Sequence, residues 1–199
     1  MLRRIILLTL LAASAPAFAA AEQYDVDPGH TVVTFGWNHF GFSNPTARFE
    51  KISGSVMLDQ GDLTKSTVSI TMPIDGLHSG VAKLDEHLKS PDFLDAAKYP
   101  DITFKSTKVE KNSATSLKVT GDLTVHGVTK PVTLNVKVNK IGIFEIPQMK
   151  VKIPAAGFDA DVVIKRSEFG VGGYVPAVSD EIPVHITLDA KKPAPPEKK

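Results

Sequence analysis

The sequence predicts an all-β protein, an antiparallel barrel of eight or slightly more strands with one short helical insert. At least eight segments alternate apolar and polar residues with a period of two, as half-buried antiparallel strands do. No strand–helix–strand spacing appears that would favour a parallel sheet. The one convincing helical stretch, residues 83–98, interrupts the strands only once. Strands of about ten residues favour a closed barrel, and a two-sheet sandwich stays open as the alternative.

The first 19 residues have the pattern of a secretory signal peptide. Met1 to Arg4 are a basic start, Ile5 to Leu11 are a short apolar run, and Ala17-Phe18-Ala19 is a small-residue cleavage site. The apolar run is too short to cross a membrane. We therefore expect cleavage near residues 19–21, a barrel domain over residues 22–190, and no integral membrane segment in the mature chain.

The composition excludes several classes of partner and chemistry. Without Arg3 and Arg4, 21 Lys and Arg face 22 Asp and Glu, a net charge near −1. That balance leaves no basic footprint for nucleic acid or an anionic membrane. The chain has no cysteine, which excludes disulfides, thiol catalysis and cysteine metal sites. An exported chain without cysteine fits the bacterial periplasm.

Four strands are predicted before the insert, and they span Glu22–Asp27, Thr31–Phe40, Arg48–Asp59 and Ser66–Ile74. Within the second strand, Phe35, Trp37 and His39 share one face, because side chains alternate sides along a strand. Pro28-Gly29 and Gly61-Asp62 supply turn residues between strands.

The insert is predicted to contain two short helical pieces. Leu84 and Leu88 have the i, i+4 spacing of one apolar stripe. Ser90 is placed to cap a second helix, with Pro91 at its first position. Tyr99-Pro100 should end it, because the residue before proline is pushed out of the helical region. We expect the apolar side chains of the insert to pack against one end of the barrel and cover it: Leu84, Leu88, Phe93 and Leu94.

Six further strands are predicted after the insert, over Asp101–Glu110, Leu117–Val125, Val132–Asn139, Gln148–Ile153, Gly157–Lys165 and Ile182–Asp189. His126-Gly127 is predicted to form a hairpin turn, and Gly170–Ser179 a glycine-rich loop. Residues 191–199, rich in proline and lysine, are predicted to be a disordered tail.

Three separated blocks of this sequence resemble the signature of the YceI-like family. The first runs from Asp85 to Thr107, the second from Gly121 to Val132, and the third from Ile164 to Gly170. They follow the family's order, and the match covers about residues 22–190. The motif positions, which we expect to be structural, are Asp85, His87, Leu88, Phe93, Tyr99, Pro100, Gly121, Gly127, Arg166, Phe169 and Gly170.

The resemblance implies a periplasmic, lipocalin-like barrel whose apolar pocket holds an isoprenoid or quinone-like lipid. It implies a carrier, reservoir or stress-related role, with no catalytic residue and no cofactor besides the bound lipid. A homodimer is compatible with the sequence.

Two alternatives to a lipid-binding function stay open. One is an enzyme on a small apolar substrate with His39, His87 or Asp85 as acid or base. The other is a barrel with a packed interior and a structural or partner-binding role.

The pocket should be lined by the inward faces of the strands. The candidates are Phe35, Trp37, His39, Val56, Leu58, Ile70, Phe104, Leu123, Leu134, Phe158, Val162 and Ile164. Each would serve equally well as plain core.

Polar residues among the candidates have two interpretations each. His39 either binds a lipid head group or ends a strand near solvent. Arg166 is expected to form a structural ion pair with Asp85, Glu86 or Glu168; the alternative is that it holds a head group. The six histidines show no H-x-x-x-H spacing, so no metal site is predicted.

Overall fold

The computed structural model describes residues 20–193, so the predicted signal peptide and residues 194–199 of the predicted tail lie outside it. The strands are β1 (Glu22–Val26), β2 (Val32–Gly36), β3 (Thr46–Phe49), β4 (Ser53–Leu58), β5 (Thr67–Pro73), β6 (Leu77–His78), β7 (Asp101–Lys111), β8 (Ser116–Val125), β9 (Val128–Ile146), β10 (Val151–Lys165) and β11 (Glu181–Lys191). One α-helix, α1 (Ala82–Lys89), lies between β6 and β7. Single 3-10 turns cover Leu63–Lys65, Ile74–Gly76, Pro147–Met149 and Arg166–Phe169.

Eight strands close the barrel in the order β1, β4, β5, β7, β8, β9, β10 and β11, and β11 pairs back to β1. Every neighbouring pair is antiparallel, and the closing pair aligns Asp25 with Lys191 and Val26 with Ala190. The predicted fold class is confirmed. Because one continuous sheet closes on itself, the sandwich alternative is excluded.

Three strands extend the barrel at one end. β11 pairs with β1 through its last residues and with β2 through Val184 to Thr187, and β3 and β6 continue outward from β2. The limits predicted for two strands were wrong. The strand predicted over Thr31–Phe40 ends at Gly36. The strand predicted over Arg48–Asp59 is in fact two strands, β3 and β4, separated by a break in which Lys51 has a left-handed φ of 59°.

The limits of the later strands also differ from the prediction. Gln148–Ile153 is not a separate strand, because β9 continues to Ile146 and turns sharply over Pro147–Met149 into β10. The hairpin turn at His126-Gly127 is confirmed, and both residues have positive φ, as a two-residue hairpin loop requires. Lys191 belongs to β11, so the predicted tail begins at least one residue too early.

The first helical piece of the insert is confirmed as α1, but the second is wrong. Ser90 follows the end of α1 instead of starting a helix, and its backbone N–H donates to His87 O at 3.1 Å. The chain then folds back in tight turns, with Leu94 N–H donating to Leu88 O at 3.1 Å. Asp95 has a left-handed φ of 45°, which a continuing helix does not allow.

Strand directions define two ends of the barrel. Loops 37–45, 74–100, 126–127 and 166–180 share one end, which we call the insert end. The connections over 59–66, 112–115 and 147–150 share the opposite end, the far end. Over residues 20–193, no helix has the length and apolar character that crossing a membrane requires.

Asp27, in the turn between β1 and β2, fastens this turn to β11. Lys191 Nζ donates to its carboxylate, and His30 Nδ1 lies 2.9 Å from Asp27 Oδ2. The Lys191 hydrogen bond, with smaller contributions from His30 and the Gly29 amide, lowers the pKa of Asp27 to about 2. Asp27, His30 and Asp189 lie close enough together to ligate a metal ion. The Lys191 ammonium, however, already forms an ion pair with the Asp27 carboxylate.

Replacing Asp27 with Asn should destabilise the barrel near neutral pH but not in acid. A carboxyl whose pKa is lowered by folding stabilises the native state above its unfolded pKa, and that stabilisation disappears as pH falls through the folded pKa. We expect a loss of about 1–2 kcal/mol at about pH 7 that vanishes near pH 2, after allowing for solvent screening. Urea unfolding at both pH values checks this, with exposed Asp101→Asn as control. An equal loss at both would contradict it.

Candidate ligand-binding cavity

The barrel interior holds a cavity of about 500 Å³. Its volume lies within the range of about 300–1,000 Å³ that small-molecule sites occupy. It runs nearly the length of the barrel, from Leu63 and Val109 towards the far end to Leu84 and Tyr174 at the insert end. Almost all of its wall is apolar. The alternative of a packed interior is therefore excluded.

All twelve predicted pocket residues lie on the cavity wall: Phe35, Trp37, His39, Val56, Leu58, Ile70, Phe104, Leu123, Leu134, Phe158, Val162 and Ile164. Several of them, such as Leu123, Leu134 and Phe158, point inward and are still only half-buried, because they border the cavity instead of packed side chains. That these residues contact a lipid stays a prediction.

Many wall residues were not among the predicted candidates. Most of those on strands share the inward parity of predicted neighbours, as Ile102 does with Phe104 and Val136 with Leu134, and the same alternation could have identified them. Val109 is out of phase with Phe104 because the register of β7 shifts between Ser106 and Lys108. Tyr174 and Val178 come from the loop between β10 and β11, where no periodic signal exists to indicate them.

The insert closes over one side of the cavity through its apolar face. Leu84 and Leu88 pack against the cluster formed by Trp37, Ala47 and Ile182. The prediction that Leu84, Leu88 and Leu94 pack against the barrel is confirmed.

Phe93 lies in a row of rings at the entrance. Its ring meets the His87 ring edge-on, with centroids 4.9 Å apart, and stacks with Tyr174 at 6.2 Å. All three residues line the cavity. The entrance therefore presents aromatic edges and faces, where an aliphatic chain passing inward finds apolar contact.

Two motif glycines make room for aromatic rings. Gly121 pairs with Ser106 and lies beside the ring of Phe104, so that a Cβ on it would be 2.5 Å from Phe104 Cζ. Gly127 has a φ of 75°, and a Cβ on it would lie 2.4 Å from Tyr99 Cε1. Close packing therefore explains why glycine stands at these two motif positions. Phe104 faces the cavity, and Tyr99 holds the end of the insert against the β8–β9 turn.

Arg166 is buried, with 8% of its surface exposed, and it lines the cavity near the entrance. The predicted ion pair with Asp85, Glu86 or Glu168 is wrong. The guanidinium instead donates to three backbone carbonyls, Ser179 O at 2.8 Å, Val171 O at 2.5 Å and Val178 O at 2.9 Å. Burial lowers the pKa of Arg166, and the charge of Asp180 opposes that shift.

Replacing Arg166 with Met should loosen the loop of residues 170–179. The methionine keeps the apolar stem but removes the charged donors, so three carbonyls lose their partner. Hydrogen bonds from charged groups contribute about 1.5–3 kcal/mol each. Because a loosened loop lets the three carbonyls bond to water instead, we expect the free energy of unfolding to fall by about 2–3 kcal/mol. Urea unfolding and amide exchange of residues 171–179 check this. A Ser167→Ala variant, which loses only the side-chain bond to Asp180, is the control. Unchanged exchange in the Met variant would contradict the assignment.

The three residues of the enzyme alternative do not form a catalytic group. Asp85 lies off the cavity wall and accepts from Ser79 N at 2.7 Å, and the Ser79 hydroxyl bond lowers its pKa. His87 has Asp92 as its nearest carboxylate, at 3.8 Å. His39 lies exposed at the entrance, with its ring 4.9 Å from that of Phe40. Over residues 20–193, no hydrogen bond or ion pair joins any two of these three side chains, although His39 and His87 both line the cavity.

Known proteins resemble this chain in sequence and in fold. A family model described as the YceI-like domain matches residues 24–190. Protein YceI of Escherichia coli is 34% identical over 181 residues, which cover 91% of this chain and 92% of that protein. The crystal structure of BcnA from Burkholderia cenocepacia has a TM-score of 0.73 and 25% identity, and covers 83% of this chain and 99% of its own. A polyisoprenoid-binding domain from Saccharophagus degradans shares the fold, with a TM-score of 0.64, 14% identity and coverage of 88% and 100%.

Proposed function

The chain belongs to the YceI-like family, and from this premise we propose that it is a periplasmic protein that binds an isoprenoid or similar long-chain lipid inside its barrel. Its role is that of a carrier or reservoir, not an enzyme. The polyisoprenoid-binding domain of the same fold suggests the class of ligand to test first. The pattern of residues 1–19 supports export to the periplasm.

The observation that carries the proposal is the cavity of about 500 Å³ with an apolar wall. Removing an alkyl chain from water stabilises the complex by about 0.8 kcal/mol per methylene, so a long chain gains enough to bind without any polar anchor. A small polar substrate would find few hydrogen-bond partners there, because polar wall residues such as Thr31, Ser66 and Arg166 are sparse and Arg166 is already bonded to carbonyls. The wall therefore favours a chain-like apolar ligand.

The test is to express the full chain in a bacterium, purify the protein from the periplasmic fraction, and analyse its organic extract by mass spectrometry. We expect a long-chain lipid in a stoichiometric amount. Protein emptied of lipid should take up a polyprenyl or quinone lipid presented in detergent. Folded protein that carries no lipid and takes up none of such a panel would overturn the proposal.

A further inference from the structure

Two loops at the insert end form a continuous surface beside the cavity entrance, which we call the rim: residues 37–45 and 170–179. They are joined by backbone hydrogen bonds, since Phe40 N–H donates to Ala177 O at 2.8 Å and Ser179 N–H donates to Asn38 O at 3.0 Å. Neither loop contains Asp, Glu, Lys or Arg, in a chain of which 23% is charged. The rim is therefore an uncharged patch on a charged protein.

Aromatic side chains of the rim are exposed to water. Phe42 is 92% exposed, Tyr174 59% and Phe40 49%. Phe40 and Tyr174 also belong to the cavity wall, so the exposed apolar surface continues without interruption into the interior. Exposed apolar surface of this kind marks an interaction site.

We propose that the rim docks into the interfacial layer of a phospholipid bilayer and that lipid passes through it between bilayer and cavity. This inference rests on the proposed lipid-binding function. A long-chain lipid that crossed a water-filled gap would expose every methylene on the way, whereas a rim seated among the acyl chains avoids that exposure. Tyrosine and other amphipathic rings are favoured at such interfaces.

A second copy of the chain fits the rim less well than a bilayer does. The three aromatic side chains offer roughly 300–500 Å² of exposed surface, from the area that such rings bury and their exposed fractions. A stable protein interface needs about 800 Å² from each partner. Because the rim has no Lys or Arg, its docking near neutral pH should not depend on anionic lipid or low salt.

The first test places a fluorophore at the exposed ring. Trp37, the single native tryptophan, lies in the rim and on the cavity wall, so the change in wild-type emission with the same vesicles is measured in parallel and subtracted. In Phe42→Trp, vesicles of pure phosphatidylcholine should shift the added emission to the blue, and brominated phosphatidylcholine should quench it. The matched control is Met149→Trp at the far end, where Met149 is 68% exposed and off the cavity wall. An emission from Phe42→Trp that stays unchanged at saturating vesicles would overturn the inference.

The second test compares Phe42→Asp with Met149→Asp. We expect at least tenfold weaker sedimentation with phosphatidylcholine vesicles for Phe42→Asp alone, and at least tenfold slower uptake of lipid from those vesicles. Uptake of the same lipid from detergent should stay normal, because Phe42 is not part of the cavity wall.

These measurements separate the two proposals. Wild-type protein that takes up no lipid even from detergent fails the proposed function, whatever its vesicle binding. Equal vesicle binding and uptake by the two Asp variants would overturn the rim inference while leaving the function intact. A concentration-dependent dimer that Phe42→Asp abolishes, together with no binding of wild type to vesicles, would assign the rim to a second copy instead.

Discussion

Replacing Leu134 with Trp should weaken lipid binding more than tenfold and leave the barrel folded. Leu134 faces the cavity from β9, with Val119 of β8 as its cross-strand partner. A tryptophan at this position would place an indole ring in the open space of about 500 Å³. If the indole takes the room of two methylenes of the ligand chain, the binding free energy weakens by about 1.6 kcal/mol. That corresponds to more than a tenfold rise in Kd, and a chain that must pass this level to reach the far end loses more.

The stability of the variant should change little, because the ring enters empty space instead of a filled core. Overpacking a filled core costs about 1–3 kcal/mol, so we expect a change below about 1 kcal/mol here. The measurement is the lipid content of the purified protein by mass spectrometry, with thermal unfolding of the emptied protein in parallel. The control is Asn135→Trp, which adds the same ring one residue along β9 on the exposed outer face.

Two results would contradict the prediction. Wild-type lipid content in Leu134→Trp would mean that the ligand occupies some other part of the protein. A melting temperature several degrees lower for Leu134→Trp than for Asn135→Trp would mean that the interior is in practice filled.

The barrel and its lining were predictable from sequence because both follow from one local rule. A half-buried strand alternates its side chains, so Phe104, Leu123 and Leu134 each indicate the inward face of their own strand. Closure then brings these faces together around a common space, and all twelve predicted residues lie on its wall. Whether that space is filled depends on the barrel diameter and the side-chain volumes together. The sequence of a single strand does not determine that combination.

The break between β3 and β4 left a trace in the sequence that the predicted strand Arg48–Asp59 passed over. The buried apolar residues change phase there, from Ala47 and Phe49 before Lys51 to Ile52 and Val56 after it. The break exists because β4 pairs with β1 in the barrel, while β3 pairs with β2 in the extension. Such choices between partners are made by strands distant in sequence, so the change of phase indicates where the strand breaks but not which strand each part pairs with.

Arg166 illustrates the same limit for a side chain. The sequence indicates its inward parity but not its partners, which are carbonyls of the loop at residues 171–179. Acidic residues near it in sequence suggested an ion pair, yet the irregular loop supplied unpaired carbonyls that a planar guanidinium satisfies together. Irregular backbone of this kind leaves no periodic pattern.

Replacing Leu88 with Asp should release the insert from the barrel and with it the lipid. Leu88 packs against both the main core and the cluster around Trp37, and it lines the cavity. A carboxylate there would lose water on one side and face apolar groups without a partner. Loss of a half-buried leucine and the cost of the charge together should destabilise the docked insert by about 2 kcal/mol.

Since about 1.4 kcal/mol is a factor of ten, that loss should raise the open population of the insert, and the rate of lipid release, by about tenfold or more. Release is measured as the decay of lipid content after transfer to excess empty vesicles, and opening as amide exchange over residues 84–96. Ala82→Asp adds the same charge on the exposed side of α1 and should leave both unchanged. If Leu88→Asp speeds exchange in the insert but not lipid release, the insert covers the barrel without gating it, and the lipid passes on the other side of the entrance, beside Phe40 and Tyr174. If neither changes, α1 contributes nothing to closure.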